Sequence, residues 1–484
     1  MYPFRIKALV KIIGLMLVFE GLFMLTCVPF SIYYGGTDLN PILISAGITI
    51  GTGGLMWFAR RKYDEHEIGK REGYLIVSLT WIIISFFGAL PFYISGAIPS
   101  FTDAYFETMS GFSTTGASIL RDIEIIPKGL LFWRSMTHWI GGMGIIVLSI
   151  AILPFLGFGG MSLFWAEVPG PEKEKLHPRI AVTAQRLWGI YAMLTLAMVI
   201  MLMLGGMNLF ESLCHAFGAL SSGGFSPKNT SLASYSPYIQ YVATLFMFLA
   251  GTNFTLHYLM LRGKFLKAIS GLEFRTYLLV LIIPSIVIAI ALIFQRDYGI
   301  EQAWRAGLFN VVSIVTCTGF ANEDYMLWPN YAWFLIFLLM FAGGMAGSTS
   351  GGIKIVRHVL LFKNVSMILK KLRHKSAVIP IRLDNRPVSP MIIHNVLAIF
   401  FLYMITFGIG SFLLTVTGLD VISSMGSVVT CMGGIGPGLA TTGPVANYAH
   451  LHDFAKWVLS FMMLLGRLEL FTLFIIFHPA FWRR

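Results

Sequence analysis

The chain has 484 residues, of which 56% are hydrophobic and only 12% are charged, a composition too apolar for an ordinary soluble protein. The formal net charge is +12, but the basic residues cluster between long apolar runs, as membrane topology predicts, and we expect no nucleic-acid partner. The apolar runs are continuous and reach the roughly 20 residues that a helix needs to cross a bilayer, which favours an all-α polytopic membrane protein over a β-barrel.

Ten membrane spans are predicted along the chain. They lie near residues 8–34, 39–59, 73–95, 130–155, 187–206, 238–262, 276–295, 331–362, 391–416 and 454–478. The first span begins among the basic residues Arg5, Lys7 and Lys11 and lacks a clear small-residue cleavage site, so we expect a retained helix and not a signal peptide.

Basic residues mark the loops that we expect on the cytoplasmic side of the membrane. They are Arg60, Arg61, Lys62, Lys70 and Arg71; Lys173, Lys175, Arg179 and Arg186; Arg262, Lys264, Lys267 and Arg275; Arg357, Lys363, Lys370, Lys371, Arg373, Lys375, Arg382 and Arg386; and Arg483 and Arg484. Placing all of these clusters inside requires an even number of spans, and it puts both termini in the cytoplasm.

Four of the external segments differ from plain loops. Each contains a moderately apolar stretch that is too short to span, and we expect these stretches to be re-entrant half-helices. The four half-helices are predicted at residues 102–112, 208–220, 300–315 and 419–430. Carboxylates that complement the positive end of a helix dipole stand near their starts, namely Asp103, Glu107, Glu211, Glu301 and Asp420. Each half-helix is then expected to point its partly negative C-terminal end into the membrane, towards a cation.

A short segment of small residues that ends in glycine follows each half-helix. The four glycine segments are Ser113-Thr114-Thr115-Gly116, Ser221-Ser222-Gly223-Gly224, Thr316-Cys317-Thr318-Gly319 and Gly433-Gly434-Ile435-Gly436. Their closing glycines lie 108, 95 and 117 residues apart, and 24 to 30 residues after each one the next span carries further glycines: Gly141 and Gly142, Gly251, Gly343 and Gly344, and Gly466. One such segment alone is typical of a turn or of close helix packing. Four in the same order indicate related units around one axis, where backbone carbonyls can bind a dehydrated cation.

The repeated unit is a span, a half-helix, a glycine segment and a second span. We therefore predict an all-α fold with four span–pore-loop–span repeats around a pseudo-fourfold ion pore, plus two extra N-terminal transmembrane helices. The expected divisions are an N-terminal appendage at residues 1–72 and pore repeats at 73–160, 161–265, 266–375 and 376–484. The third repeat also contains an intramembrane glycine loop.

These residues resemble a known family. The four units, closed by Gly116, Gly224, Gly319 and Gly436, are similar to the superfamily of potassium transporters called Trk, Ktr and HKT. The N-terminal pair of spans and the Gly-Ile-Gly-Pro-Gly stretch at residues 434–438 make the chain most similar to the TrkH-type branch. The resemblance covers nearly the whole chain. It implies a transporter and not an enzyme, with potassium as the transported and bound ion and no other cofactor.

The resemblance implies that the glycine segments form a selectivity filter. The implied potassium-contacting residues are Thr114, Thr115, Gly116, Ser222, Gly223, Gly224, Thr318, Gly319, Ile435 and Gly436. A serine in the first repeat accompanies sodium transport in some plant members of the superfamily, so Gly116 implies potassium. The fourth segment departs from the Ser/Thr-rich pattern of the other three, which leaves the choice between Gly436 and Gly434 as its closing glycine open.

The resemblance also implies a cellular setting. It places the protein in the lipid bilayer of the bacterial inner membrane, as a homodimer with a cytosolic nucleotide-binding regulatory subunit of the TrkA type. The chain contains no nucleotide-binding fingerprint, so a sensor of nucleotide belongs to another subunit.

The eighth predicted span contains a run of residues that should interrupt a helix. Residues 343–352, the glycine loop, hold five glycines, Gly343, Gly344, Gly347, Gly351 and Gly352. The run occurs only in the third unit, so fourfold symmetry does not explain it. We expect a flexible intramembrane loop that gates the pore, and the alternative is a packing kink.

Arg467 lies within the last predicted span, where a charged residue is costly and usually functional. Either the side chain faces the pore below the filter, where its charge opposes the ion, or it forms a structural salt bridge to another helix. The family resemblance favours the first interpretation, and Arg467 therefore joins the five glycines as a predicted gate residue.

A potassium symporter coupled to H⁺ or Na⁺ is the alternative to a channel-like pore. Paired carboxylates or histidines near the midplane typify coupled transporters, and the sequence shows no such pair near the filter. His138, His215 and His257 occur singly and are expected to be structural, and Cys317 and Cys431 are expected to pack behind the glycine segments.

Overall fold

The structure is a computed structural model, and it describes residues 6–60, 70–151, 176–374, 376–384 and 386–482. Side chains are described for these residues except at 70, 145–151 and 176–182. Several of the predicted cytoplasmic basic side chains lie outside the described part, namely Arg61, Lys62, Lys70, Lys173, Lys175, Arg179, Lys375, Arg483 and Arg484. The end of the predicted fourth span, at residues 152–155, also lies outside it.

Two long helices form the N-terminal appendage. Helices Ile6–Leu25 and Leu39–Ala59 run antiparallel and are joined by the short helix Val28–Tyr33. They approach closely because Gly14 and Gly53 face each other: a Cβ on either glycine would lie 2.6 to 2.7 Å from the carbonyl oxygen of the other. The carboxylate of Asp38 ties the appendage to the first pore unit, since its Oδ2 accepts a hydrogen bond of 2.9 Å from the backbone N–H of Leu130.

The remaining helices repeat one order four times, a long helix, a half-helix and a second helix. The first unit contains Lys70–Gly88, Leu90–Ile94, Phe101–Phe112 and Lys128–Ala151. The second contains Leu176–Leu204, Leu209–Leu220, Pro237–Ala250, Phe254–Leu261 and Phe265–Ile269. The third contains Leu272–Arg296, Ile300–Val315, the 3₁₀ turn Tyr325–Leu327, Asn330–Leu339 and Ile355–Arg373, followed by paired antiparallel strands Arg382–Leu383 and Arg386–Pro387. The fourth contains Pro390–Val416, Val421–Gly433, the 3₁₀ turn Ala440–Thr442, Asp453–Arg467, Phe471–Phe477 and Pro479–Trp482.

The four half-helices lie close to their predicted positions. Phe101–Phe112, Leu209–Leu220, Ile300–Val315 and Val421–Gly433 contain 12, 12, 16 and 13 residues, which is too short to cross a bilayer. Three of them begin with a side-chain cap: Ser100, Asn208 and Asp420 each accept a hydrogen bond from the backbone N–H three residues later.

Two of the predicted spans are not continuous helices, and in this respect the prediction was wrong. The span predicted at 238–262 bends by 101° between Ala250 and Phe254, and the span predicted at 454–478 bends by 114° between Arg467 and Phe471. The third unit is therefore not the only one with a broken second helix. What distinguishes it is the length of the interruption, from Leu339 to Ile355.

Other residues stabilise each bend. In the second unit, Asn253 caps the helix after the bend through a 2.8 Å hydrogen bond from the N–H of Thr255. In the fourth unit, Glu469 and Leu470 adopt positive φ angles of 57° and 47°, which stops the helix. Neither bend contains proline, the residue that most often marks a break in a helix.

The outer surface suits a hydrocarbon environment. Within the described residues, six helices are long and apolar enough to cross a membrane, and the two bent pairs raise this number to eight. Helix Leu272–Arg296 illustrates their exposed faces, with Leu279, Ile283 and Ile290 at least half exposed. The chain is a multi-pass all-α membrane protein.

Candidate functional site

The four glycine segments share one backbone conformation. The second residue of each has a left-handed φ angle: 54° at Thr114, 58° at Ser222, 57° at Cys317 and 69° at Gly434. The closing glycines also have positive φ angles, of 82° at Gly116, 78° at Gly224, 79° at Gly319 and 95° at Gly436. Gly434 therefore takes the place of the second residue and Gly436 that of the closing glycine, which defines the register of the fourth segment.

Each half-helix ends in the same capped turn. The backbone N–H of the third residue in every segment donates to a carbonyl five residues earlier, as in a Schellman motif whose left-handed residue is the second one. These bonds are Thr115 to Ser110, Gly223 to Gly218 and Thr318 to Ser313, each 2.8 Å, and Ile435 to Thr430, 2.9 Å. The left-handed position usually holds glycine, and here three of four segments place Thr, Ser or Cys there at a cost in strain.

The segments form a closed ring around one centre. The Cα of each closing glycine lies against the third-residue carbonyl oxygen of the next segment in the chain, and the fourth segment closes on the first. A Cβ would come closer than 3.0 Å to that oxygen in all four cases: Gly116 to Gly223, Gly224 to Thr318, Gly319 to Ile435 and Gly436 to Thr115. Only glycine fits these positions, because the neighbouring backbone occupies the space of a side chain.

The charges of the half-helices have the expected polarity. Asp103, Glu211 and Glu301 lie in the first turns, and Asp420 caps the fourth half-helix. The C-terminal ends, with their partial negative charge, lead directly into the glycine segments. The ring of backbone carbonyls thus combines with four helix dipoles to favour a cation.

A polar side chain nine residues before each closing glycine holds the chain that follows the ring. These four residues are Glu107, His215, Asn310 and Ser427. Their partners, two to six residues after the closing glycines, are the N–H of Ile119 at 2.8 Å, Ser226 Oγ at 3.0 Å, Asn322 Oδ1 at 2.7 Å and Thr442 Oγ1 at 3.0 Å. In every unit, a side chain of the half-helix therefore holds the chain that follows the closing glycine. These four contacts are called the brace. The sequence did not reveal this brace, although counting back from each glycine would have aligned its members.

Glu107 is more than the helix-dipole partner that its position predicted. Its Oε1 accepts a 2.6 Å hydrogen bond from Nε of Arg134, and both side chains are almost completely buried. Arg134 also donates to the carbonyl oxygen of Ser226 at 3.0 Å, so this ion pair links the first unit to the second.

The glycine loop lies directly below the second glycine segment. Thr349 Oγ1 is 2.8 Å from Ser222 Oγ, and it lies within hydrogen-bond distance of the carbonyl oxygens of Leu220 and Ala250, at 3.0 and 3.2 Å. Thr349 has no exposed surface. The loop therefore occupies the space just below the ring.

Backbone hydrogen bonds join the glycine loop to the bend in the second unit. Met345 N–H donates to the carbonyl oxygen of Gly251 at 2.9 Å, and the N–H of Phe254 donates to the carbonyl oxygen of Gly347 at 3.1 Å. Across its base, the N–H of Gly343 donates to the carbonyl oxygen of Ile353 at 2.9 Å. The loop thus satisfies backbone groups that the bend frees from the helix.

Two ionisable residues hold the loop from its sides. Glu273 Oε1 accepts a 2.7 Å hydrogen bond from the N–H of Ala346. Lys354 is buried and donates from Nζ to the carbonyl oxygen of Ser350.

Arg467 is the last residue before the bend of the fourth unit and is 5% exposed. It donates to the carbonyl oxygens of Thr349, in the glycine loop, and of Gly141, in the first unit. In the described part of the chain it takes part in no ion pair, whereas its neighbour Glu469 pairs with Arg357. The structure therefore brings Arg467 and the glycine loop together, and Arg467 bridges three units through backbone carbonyls.

Comparisons with known proteins agree over nearly the full length. A family model described as TrkH, cation transport protein, matches residues 40–484. The chain is 37% identical to the Trk system potassium uptake protein TrkH of Halomonas elongata, over 99% of this chain and 100% of that protein. It is 38% identical to the protein of the same name from Escherichia coli K12, over 99% of both chains. Its fold is similar to the crystal structure of the potassium transporter TrkH from Vibrio parahaemolyticus, with a TM-score of 0.91 and 35% identity over 99% of this chain and 100% of that one.

Proposed function

The chain belongs to the TrkH family of cation transport proteins, and we propose that it takes up potassium across the bacterial inner membrane through a channel-like pore at the ring of glycine segments. Its relatives are named as potassium uptake proteins, and it is a transporter and not an enzyme. We base the proposal on one observation above all, the closed ring in which each closing glycine abuts the next segment's third-residue carbonyl oxygen.

The ring has the chemistry of a potassium filter. A potassium ion sheds its water only if several oxygen atoms replace that water together, and a ring of backbone carbonyls can do so. The third-residue oxygens belong to Thr115, Gly223, Thr318 and Ile435, and the closing glycines follow directly. We assign the filter to these residues with the neighbouring Thr114 and Ser222.

We assign the gate to the glycine loop and Arg467. The loop blocks the inner side of the ring through Thr349, and Arg467 holds the Thr349 carbonyl while it places a positive charge below the filter. Opening then requires the loop to give up its bonds to Gly251, Phe254 and Arg467. The five loop glycines give the backbone the freedom for such a movement.

We propose conduction down the electrochemical gradient and not coupled symport. A site made of backbone carbonyls on one fixed ring needs no alternation of access, and the negative interior of a cell drives potassium inward. The buried carboxylate of Glu107, on the first half-helix, is paired with Arg134 and braces the chain behind the ring.

We also propose a homodimer that works with a cytosolic nucleotide-binding subunit of the TrkA type. The relatives are named as members of a Trk system, which supports a multi-subunit assembly. Helix Ile355–Arg373, which continues directly from the glycine loop, ends with the exposed residues Lys370, Lys371 and Arg373. A subunit that bound this basic end would be connected to the gate by one helix.

The repeat order supports the proposed division into an appendage at 1–72 and pore repeats at 73–160, 161–265, 266–375 and 376–484. Each proposed pore repeat contains one half-helix and one glycine segment. In the described part of the appendage there is neither.

Rubidium uptake into liposomes tests the proposal. Purified protein in vesicles loaded with potassium should accumulate radioactive rubidium, and external potassium should compete with it far better than sodium. Uptake should not depend on a proton or sodium gradient. Equal competition by sodium would contradict the filter assignment, and a strict requirement for either gradient would favour symport.

A further inference from the structure

The second glycine segment differs from the others at its third residue. The first, third and fourth segments have Thr115, Thr318 and Ile435 at this position, whereas the second has Gly223. In the first and third segments the threonine hydroxyl lies 2.8 Å from the hydroxyl of the segment's first residue, so the side chain fills the space behind the ring. Gly223 has no side chain for this purpose.

The imidazole of His138 fills that space in the second segment. A Cβ on Gly223 would lie closer than 3.0 Å to the ring atoms Nδ1, Cε1 and Cγ of His138. The ring is fully buried and meets Phe225 edge to face, with 4.0 Å between the ring centroids. His138 belongs to helix Lys128–Ala151 of the first unit, so one unit supplies the backing for the filter segment of the next.

Arg134 supports the same segment one helical turn earlier. Its guanidinium lies 3.5 Å from the centroid of the Phe225 ring, and its Nη1 donates to the carbonyl oxygen of Ser226. Residues 134 and 138 are four apart and share one helix face. This face therefore contacts the second segment at Gly223 and just beyond it.

The positions that correspond to His138 in two other units hold methionine. Gly142 and Gly251 both pack against the first residue of the following glycine segment, Ser221 and Thr316, so His138 and Met247 correspond, each four residues earlier. Gly141 and Gly466 both pack against the carbonyl group of the last residue before their own glycine segment, so His138 and Met463 also correspond. Both methionines are fully or almost fully buried.

The two positions vary together. The segments that follow Met247 and Met463 around the ring carry threonine at the third position, and the segment that follows His138 carries glycine. A flexible methionine leaves room for a side chain on the ring segment, whereas the imidazole takes that room itself.

The imidazole of His138 acts on Gly223 through packing contacts. Among the described residues neither ring nitrogen of His138 has a hydrogen-bond partner. The charged groups nearby are Arg134 on its own helix, which is paired with Glu107, and Arg467 from the fourth unit.

We infer that His138 is a specificity-determining residue of the pore, which fixes the carbonyl of Gly223 in the ring by standing in for the side chain that Gly223 lacks. Two consecutive glycines, Gly223 and Gly224, have many backbone conformations open to them. Without the His138 imidazole behind it, the Gly223 carbonyl loses its fixed place against Gly116. The filter then discriminates less well between potassium and sodium. The inference rests on the proposed function.

Substitution of His138 and Gly223, singly and together, tests the inference. We would measure the ratio of rubidium to sodium uptake in liposomes for His138→Ala, Gly223→Thr and the double variant His138→Met with Gly223→Thr. His138→Ala should lower the ratio several-fold. Gly223→Thr should strongly reduce rubidium uptake, because its Cβ collides with the imidazole. The double variant copies the methionine–threonine combination of the other units and should recover much of the uptake and of the ratio.

A matched control separates this effect from misfolding. His394→Ala, at an exposed position on helix Pro390–Val416, should behave as wild type, and size-exclusion profiles should show equal amounts of folded protein. A wild-type ratio in His138→Ala would overturn the inference, as would a double variant no better than Gly223→Thr alone. A wild-type protein that carries no rubidium would instead contradict the proposed function.

Discussion

Arg467 donates a hydrogen bond to the carbonyl oxygen of Thr349, with 3.1 Å between Nη1 and the oxygen. Its Nη2 donates to the carbonyl oxygen of Gly141 at 2.8 Å. One guanidinium thus fastens the glycine loop of the third unit to the second helices of the first and fourth units. No carboxylate neutralises it in the described part of the chain, so its positive charge would also oppose a cation that had passed the proposed filter.

Replacement of Arg467 by alanine should increase potassium flux. It removes the charge and the two hydrogen bonds by which, in the proposed gate, Arg467 fastens the loop to the first unit, so rubidium uptake in liposomes should rise several-fold. Arg467→Lys keeps the charge but lacks the planar guanidinium that donates to two carbonyl oxygens, and it should give an intermediate flux. A large loss of folded protein with no gain in flux would show that Arg467 is structural only.

Thr349→Val should also increase basal flux. Valine keeps the shape of threonine but cannot hydrogen-bond to Ser222 Oγ or to the carbonyl oxygens of Leu220 and Ala250. The hydroxyl donates to one of the two carbonyl oxygens at a time and accepts from Ser222 Oγ, and each lost bond weakens the closed loop by roughly 1 kcal/mol, which shifts the proposed gate towards open. Single-channel recording in a planar bilayer would show this as a higher open probability at unchanged conductance. A change in conductance alone would place Thr349 in the ion path and not in the latch.

The sequence predicted the parts of the site that depend on local signals. The half-helices follow from their limited length and from the carboxylates near their starts, and three of the four end at the predicted residue. The interruption at residues 343–352 follows from glycine content. Both signals act within one stretch of chain, so a single sequence carries them.

The parts that it missed depend on contacts between residues that are far apart in the chain. In the bend at Gly251, the carbonyl oxygen accepts a hydrogen bond from the N–H of Met345 in the next unit, and no residue near Gly251 indicates that partner. The pairing of Glu107 with Arg134 likewise joins residues 27 positions apart. His138 fills a space that is defined by a glycine in another unit, so its own neighbours in the sequence do not indicate this contact.

Substitution of any closing glycine should impair selection of the ion. Gly116→Ser places a Cβ against the carbonyl oxygen of Gly223 and puts a side chain at a φ of 82°. Because the ring is closed, Gly224→Ala, Gly319→Ala and Gly436→Ala should have similar effects on the ratio of rubidium to sodium uptake. Gly408→Ala is the matched control, since its Cβ would meet no atom within 4 Å. A Gly436→Ala protein with wild-type selectivity would contradict the register of the fourth segment.

The brace formed by Glu107 should matter most for stability, because Glu107→Ala leaves the Arg134 guanidinium buried without a carboxylate. Breaking such a pair costs about 3–5 kcal/mol, and here it also frees the N–H of Ile119 behind the ring. Glu301→Ala removes a pair of similar chemistry with Arg305, but that carboxylate is 58% exposed, and the loss should be at most about 1 kcal/mol. Thermal unfolding in detergent should therefore show a much larger fall in melting temperature for Glu107→Ala than for Glu301→Ala, together with lower rubidium selectivity. Equal melting temperatures for the two variants would mean that the ring does not depend on this brace.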